Sequence, residues 1–104
     1  MAEFRKIATV ADLPPEGEAK EFAFGGRTVC VANTGGKYSA VDNVCPHRGG
    51  PLGQGVVEGG KIICPWHGWQ FDAETGQSVQ RPETTIHVYT LKIEGEDVLI
   101  EENK

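Results

Sequence analysis

The sequence predicts an all-β protein, an antiparallel β-sandwich or barrel that carries an inserted metal-binding subdomain. Gly-Gly pairs at positions 25–26, 35–36 and 59–60 each separate two runs rich in β-branched or aromatic residues, which is typical of tight hairpins. The runs are short and closely spaced, and no long stretch has the apolar period of a helix. Residues 43–81 stand apart because they hold two of the three cysteines, two of the three histidines and both tryptophans.

The elements follow in order along the chain. A short helical turn is predicted at residues 11–13 and is ended by Pro14 and Pro15. Gly95 and Glu96 predict a further two-residue turn, between two apolar runs near the end of the chain. The predicted strands cover residues 3–8, 20–24, 27–33, 37–42, 56–58, 61–64, 70–72, 86–94 and 97–101.

Length and charge limit the classes of function. A chain of 104 residues suits one domain, residues 1–104, with the inserted subdomain at about 43–81. The net charge of −5 argues against nucleic acid or an anionic membrane as the main partner. It is compatible with docking on a basic protein surface.

The chain shows no targeting or membrane signal. Its first residues lack the apolar region of a signal peptide, and no run of about 18 apolar residues is present. We therefore expect a soluble, cytoplasmic protein with no membrane partner. Three cysteines are an odd number, and the cytosol keeps thiols reduced, so metal ligation is a better use of them than a disulfide framework.

The candidate ligands form two mixed pairs. Cys45 and His47 form a Cys-x-His pair, and after sixteen intervening residues Cys64 and His67 form a Cys-x-x-His pair. The hairpin predicted between the pairs, GVVE-GG-KIIC, folds the chain back on itself. Two loops then converge on one site, and each offers one sulfur and one nitrogen.

Two kinds of metal centre suit this donor set. A tetrahedral zinc ion accepts two cysteines and two histidines. The familiar zinc patterns, however, keep the cysteines together and the histidines together, whereas each pair here is mixed. Mixing has a purpose with two metals, because both thiolates can then hold one iron and both imidazoles its neighbour.

The motifs Cys45-Pro46-His47 and Cys64-Pro65-Trp66-His67-Gly68 resemble those of the Rieske iron–sulfur family. The resemblance implies the Rieske fold and one [2Fe–2S] cluster. It implies that Cys45 and Cys64 hold one iron and that His47 and His67 hold the other. The positions that form a disulfide in high-potential members correspond to Gly50 and Trp66, so that bridge is not expected.

The ligands also determine the reduction potential that we expect for the cluster. Two ferric ions, two sulfides and two thiolates sum to a neutral core, which accepts an electron more easily than a four-cysteine cluster. High-potential members place sulfur-bonding hydroxyls at the positions of Trp69 and Phe71, and neither residue has one. We therefore expect a potential at the low end of the Rieske range, about −150 mV.

The function implied by the resemblance is that of a soluble one-electron carrier, not an enzyme. Such a ferredoxin, expected to be a monomer when free, passes electrons from a reductase, expected to be flavin-dependent, to a terminal oxygenase or similar enzyme. A mononuclear iron would need further histidines, and only His87 remains. A small subunit of an assimilatory nitrite reductase is the first alternative, and a zinc-stabilised binding module without a redox role is the second.

The remaining residues of chemical interest have simpler interpretations. Cys30, in the apolar run TVCVA, is predicted to be a buried strand residue, and His87 a surface or packing residue. Trp66 and Trp69 are predicted to pack, with shielding of the cluster as a consequence. Residues 81–82 are predicted to belong to a proline-containing loop over the cluster.

Overall fold

Ten antiparallel strands form the protein, as seen in a computed structural model that describes residues 3–46, 49–66 and 68–102. Their bounds are β1 Glu3–Thr9, β2 Ala19–Phe24, β3 Arg27–Thr34, β4 Lys37–Asp42, β5 Val56–Glu58, β6 Lys61–Ile63, β7 Gln70–Asp72, β8 Val88–Tyr89, β9 Leu91–Glu94 and β10 Asp97–Glu102. The predicted all-β fold is confirmed. No helix among these residues is long and apolar enough to cross a membrane.

The strands form three sheets, ordered β1-β10-β9, β2-β3-β4-β8 and β5-β6-β7. The Gly-Gly pairs make the hairpins between β2 and β3, β3 and β4, and β5 and β6, each with both glycines at positive φ. That conformation is the one a two-residue type I′ turn requires. The third sheet lies within residues 43–81, the segment set apart by its composition.

Successive residues of β3 are buried on opposite faces of the middle sheet. Val29 and Val31 belong to a cluster that contains Ile100 of β10. Cys30 and Ala32 belong to a second cluster, which contains Ile62 of β6. The sheet β2-β3-β4-β8 is therefore a middle layer with a buried core on each side, as the unbroken apolar run of β3 indicates.

One predicted strand, residues 86–94, is two strands in the structure. Tyr89 of β8 pairs with Ala40 in the middle sheet, whereas Leu91 of β9 pairs with Ile100 in the first sheet. The chain changes sheets at Thr90, whose carbonyl accepts a hydrogen bond from the Glu101 N–H at 2.8 Å. The prediction of a single strand was wrong because both halves have the same β-type residue pattern.

Two short 3₁₀ turns complete the fold. Val10–Asp12 forms the first, one residue before the predicted helical turn, and Asp12 Oδ2 accepts a bond from the Thr9 backbone N–H at 3.1 Å. Leu52–Gln54 forms the second, which was not predicted. It lies directly after the first predicted ligand loop and leads the chain into β5.

Candidate metal centre

The loop that begins at Cys45 is closed by two backbone hydrogen bonds. The Cys45 N–H donates to the Gly50 carbonyl at 2.9 Å, and the Gly49 N–H donates to the Cys45 carbonyl at 2.6 Å. Gly49 has a φ of 78°, a conformation that favours glycine. The cysteine is thus bonded to the residues four and five positions later in the chain.

The loop that begins at Cys64 has the same frame. The Cys64 N–H donates to the Trp69 carbonyl at 2.8 Å, and the Gly68 N–H donates to the Cys64 carbonyl at 3.1 Å. Gly68 has a φ of 75°, close to that of its counterpart in the first loop. Two loops of one backbone design therefore each present a cysteine at the first position.

Gly50 brings the two loops side by side. It is bonded to Cys45, and a Cβ added to it would lie 2.7 Å from Cys64 Sγ. The same Cβ would lie 3.1 Å from Cγ of Trp66. Any side chain larger than hydrogen would therefore collide with the second loop, and glycine is what allows the loops to approach.

Both predicted thiol ligands are buried. Cys45 is 1% exposed and Cys64 is 2% exposed, and they belong to the same buried cluster. All three cysteines of the chain lie among the described residues, and none is in a disulfide. This agrees with the expectation that the chain has no disulfide framework.

The predicted histidine ligands, His47 and His67, lie outside the described residues, as does Arg48. The described part of the donor set fits an iron–sulfur centre. Two cysteines outside any disulfide, shielded from water and carried by two similar adjacent loops, suit a pair of soft thiolate ligands to one iron. The assignment of all four ligands stays a prediction.

The first loop is tied to the β framework by Asn43, two residues before Cys45. Asn43 is buried, and its Nδ2 donates to Glu21 Oε2 on β2 at 2.7 Å. Its Oδ1 accepts the Gly53 N–H at 2.7 Å, and its carbonyl accepts the Leu52 N–H at 2.7 Å. One buried amide therefore fixes both the entry to the loop and the 3₁₀ turn that follows.

A third loop, residues 77–85, lies beside the Cys64 loop. The Val79 N–H donates to the Gln70 carbonyl at 2.9 Å, and Gln80 Oε1 accepts the Gln70 N–H at 3.0 Å. Ser78 Oγ accepts the Arg81 N–H at 3.0 Å, which holds the loop's own turn. These bonds place the loop beside Gln70, the first residue of β7, and the prediction that it covers the cluster stays a prediction.

The two tryptophans differ in their surroundings. Trp69 packs against the buried cluster and its ring centroid lies 6.3 Å from that of Phe71. Trp66 is 57% exposed. Trp66 is therefore not a core residue, although its ring packs against Gly50, with Cγ 3.1 Å from the position of a Cβ at that glycine. Its shielding of the cluster stays a prediction.

Two other residues are where the sequence predicts them. Cys30 is fully buried on β3, and burial, with the charge of Glu21 as a smaller cause, raises the pKa of its thiol to about 12. His87 packs edge-on against Tyr89, with ring centroids 4.5 Å apart. Both observations agree with structural roles.

Sequence reasoning missed Glu21 and Asn43. Asn43 and Glu21 are 22 positions apart, and neither lies in a recognisable motif. A Cβ on Gly53 would come within 2.4 Å of Glu21 Cγ, which shows how closely the 3₁₀ turn packs on β2. The available signal was a polar Asn two residues before the first ligand motif, which does not identify its partner.

The family described as Rieske [2Fe-2S] domain matches residues 3–92 of the chain. The ferredoxin component of the alkene monooxygenase system of Xanthobacter autotrophicus is 35% identical over 94% of this chain and 80% of its own length. Apoptosis-inducing factor 3 of Mus musculus is 35% identical over 94% of this chain, which spans only 16% of that protein. The solved structure of the Sphingomonas yanoikuyae B1 ferredoxin superposes with a TM-score of 0.85 at 29% identity, covering 97% of this chain and all 100% of that one.

Proposed function

Because the chain belongs to the Rieske [2Fe–2S] family, we propose that it is a ferredoxin that carries single electrons from a flavin-dependent reductase to a terminal oxygenase. It binds one [2Fe–2S] cluster, which supplies the one-electron chemistry when it is bound. The observation that carries the proposal is the pair of adjacent loops of one backbone design, each with a buried cysteine, not in a disulfide, at its first position. The redox partners of such a protein are other proteins.

The four proposed ligands divide by charge. Cys45 and Cys64 hold one iron as thiolates, and His47 and His67 hold the other as neutral imidazoles. The chain's own part is to bury the thiols, to keep bulky side chains away from them with glycine at position 50, and to hold both loops rigid through their backbone hydrogen bonds. A rigid, largely dry site limits the rearrangement that accompanies a change of charge.

The chain is a carrier and not an enzyme. Once His47 and His67 are assigned to the cluster, His87 is the remaining histidine of the sequence. A mononuclear iron held by two histidines and a carboxylate cannot be built from it. His87 packs on Tyr89, and its carbonyl accepts the Asp42 N–H at 3.0 Å. Both contacts are with strands of the middle sheet, which indicates a structural role.

We further propose that residues 1–104 are one domain, that residues 43–81 are its cluster-binding subdomain, and that the free protein is a soluble, cytoplasmic monomer. The net charge of −5 suits transient docking with proteins and not with nucleic acid or anionic membranes. The similarity to the ferredoxin component of an alkene monooxygenase system, over 80% of that protein's length, supports the single-domain part of this proposal.

Metal analysis and electron paramagnetic resonance of the purified protein test the proposal. We expect iron and acid-labile sulfide in equal amounts, a red-brown colour, and a rhombic resonance after dithionite reduction. A colourless protein with one zinc ion and no sulfide would refute it and restore the zinc-module alternative. The nitrite reductase alternative shares the cluster, so it is distinguished by co-purification with a large sirohaem-containing subunit from the native cells.

A further inference from the structure

We propose that Trp66 is a positioning residue whose indole ring clasps the two ligand loops together over Gly50 and seals the thiolate side of the site from water. This inference rests on the proposed cluster ligation by Cys45 and Cys64. It concerns a side chain that lies beside the ligands and is not one of them.

Two close approaches to Gly50 define the clasp, one by Cys64 Sγ and one by the Trp66 ring. Cys64 Sγ lies against Gly50, since a Cβ at that glycine would be 2.7 Å from the sulfur. The Trp66 ring lies on the same side, with Cγ and Cδ2 at 3.1 and 3.2 Å from that Cβ position. Gly50 belongs to the Cys45 loop and Trp66 to the Cys64 loop, so the contact joins the two loops directly.

The exposure of Trp66 shows that the ring is not a core residue. It is 57% exposed, whereas Cys64 is 2% exposed and Gly50 is buried. The rest of its surface is covered, and the ring atoms Cγ and Cδ2 are near Gly50. The face that is covered here is the one that lies over the loop contact.

The expected effect follows from the chemistry of thiolate ligands. Hydrogen bonds to cluster sulfurs stabilise the extra negative charge of the reduced state and raise the potential. A missing indole opens a path for water to Cys64 Sγ and weakens the contact between the loops. Removal of Trp66 should therefore raise the potential and speed the loss of iron.

The experiment compares Trp66→Ala, Trp66→Phe and the control Ile93→Ala in the cluster-loaded protein. Ile93 is also exposed, at 41%, but lies on β9. We expect Trp66→Ala to release iron to a chelator on the order of tenfold faster, the factor that a loss of about 1.4 kcal/mol gives, and to have a higher midpoint in a redox titration. Trp66→Phe keeps a ring at the Cγ contact and should restore most of both properties, and Ile93→Ala should match the wild type.

A wild-type rate of iron release and a wild-type potential in Trp66→Ala would overturn the clasp while leaving the electron-carrier function intact. If the wild-type protein itself holds no iron–sulfur cluster, the proposed function fails before the clasp is tested. Should Trp66→Ala fail to fold, Gly50→Ala tests the same contact from the other loop. Its methyl group must displace the indole or the sulfur, so faster iron release is expected there too, and an unchanged rate would contradict the proposal.

Discussion

The side-chain amide of Asn43 donates a hydrogen bond of 2.7 Å to the Glu21 carboxylate, and this bond joins the segment that holds the predicted ligands to the middle sheet. The amide oxygen of Asn43 accepts the Gly53 N–H at 2.7 Å. Because Gly53 is buried, its N–H has no access to water if the Asn43 side chain is removed, whereas the partly buried Glu21 carboxylate keeps some access.

We expect Asn43→Ala to lower the free energy of unfolding by about 1–3 kcal/mol, because a buried N–H and a carboxylate oxygen lose their partner. Denaturant unfolding of the cluster-loaded protein, followed by circular dichroism and by visible absorption, measures this loss. Gln54→Ala is the matched control, since Gln54 is exposed and bonds Glu21 over 3.3 Å. Equal effects of the two substitutions would show that Asn43 has no special role.

Gly55→Ala should be far more damaging than Gly36→Ala. A Cβ at Gly55 would lie 1.9 Å from the carbonyl oxygen of Ile63, the residue before Cys64, whereas nothing lies within 4 Å of a Cβ at Gly36. Gly36 has a φ of 92°, so alanine there costs about 1–2 kcal/mol of backbone strain. Alanine at position 55 must instead displace β6, the strand that leads to the Cys64 loop. We expect it to lower the free energy of unfolding by about 3 kcal/mol or more.

Thermal unfolding of the two variants, together with the iron content of the purified proteins, checks this difference. Gly55→Ala should show both a lower midpoint and poorer iron retention. Gly36→Ala should show the smaller stability loss with full iron content. A fully loaded Gly55→Ala protein of wild-type stability would contradict the close approach seen in the structure.

Cys30 should make the wild-type protein lose stability at alkaline pH. Burial raises the pKa of its thiol from 9.0 to about 12. Below pH 9 both the folded and the unfolded chain hold the thiol proton, so Cys30 does not make the free energy of unfolding depend on pH there. As the pH rises above 9 the unfolded chain releases the proton while the folded chain keeps it until about pH 12, and stability falls.

The Cys30→Ala variant isolates this effect. The smaller side chain should lower its free energy of unfolding by the same amount at every pH. Apart from that constant loss, its free energy of unfolding relative to the wild type should rise by about 1.4 kcal/mol between pH 8 and pH 10. Urea unfolding midpoints at several pH values provide the measurement. A stability difference that stays constant across this range would show that the thiol titrates alike in both states.

His47→Cys or His67→Cys should lower the reduction potential, provided that a cluster still assembles. A thiolate in place of a neutral imidazole adds negative charge to the core, and the added electron is then less stable. The shift should point toward the plant-type ferredoxins, at about −400 mV. A redox titration followed by visible absorption is the test, and an unchanged or higher potential would contradict the proposed charge argument.

Local chemistry explains why most of the fold is predictable from the sequence. The Gly-Gly pairs determine the hairpins, and the strands between them have the β-branched residues that β structure favours. The division of residues 86–94 is not predictable in this way, because it depends on which sheet each half joins. Tyr89 is held in the middle sheet by its hydroxyl, which donates to Asp42 Oδ1 at 2.7 Å, and no local pattern reveals that bond.

The candidate site is predictable to a similar degree. The motif identifies Cys45 and Cys64, and the structure finds both thiols buried in equivalent loops. The partners of the loops are long-range and could not be read from the motif, as the Asn43–Glu21 bond shows. The outward position of Trp66 also escapes prediction, since a tryptophan beside a ligand suits a core as well as it suits a surface.

The two-sided middle sheet has a consequence for how the holoprotein matures. Among the described residues, the core that contains Ile100 of β10 holds neither of the two cysteines proposed as iron ligands, whereas the opposite core contains Cys45 and Cys64. A newly made polypeptide can therefore consolidate the first half of its interior before any iron is delivered. We expect the second half to pack fully around Cys45 and Cys64 when the cluster is inserted.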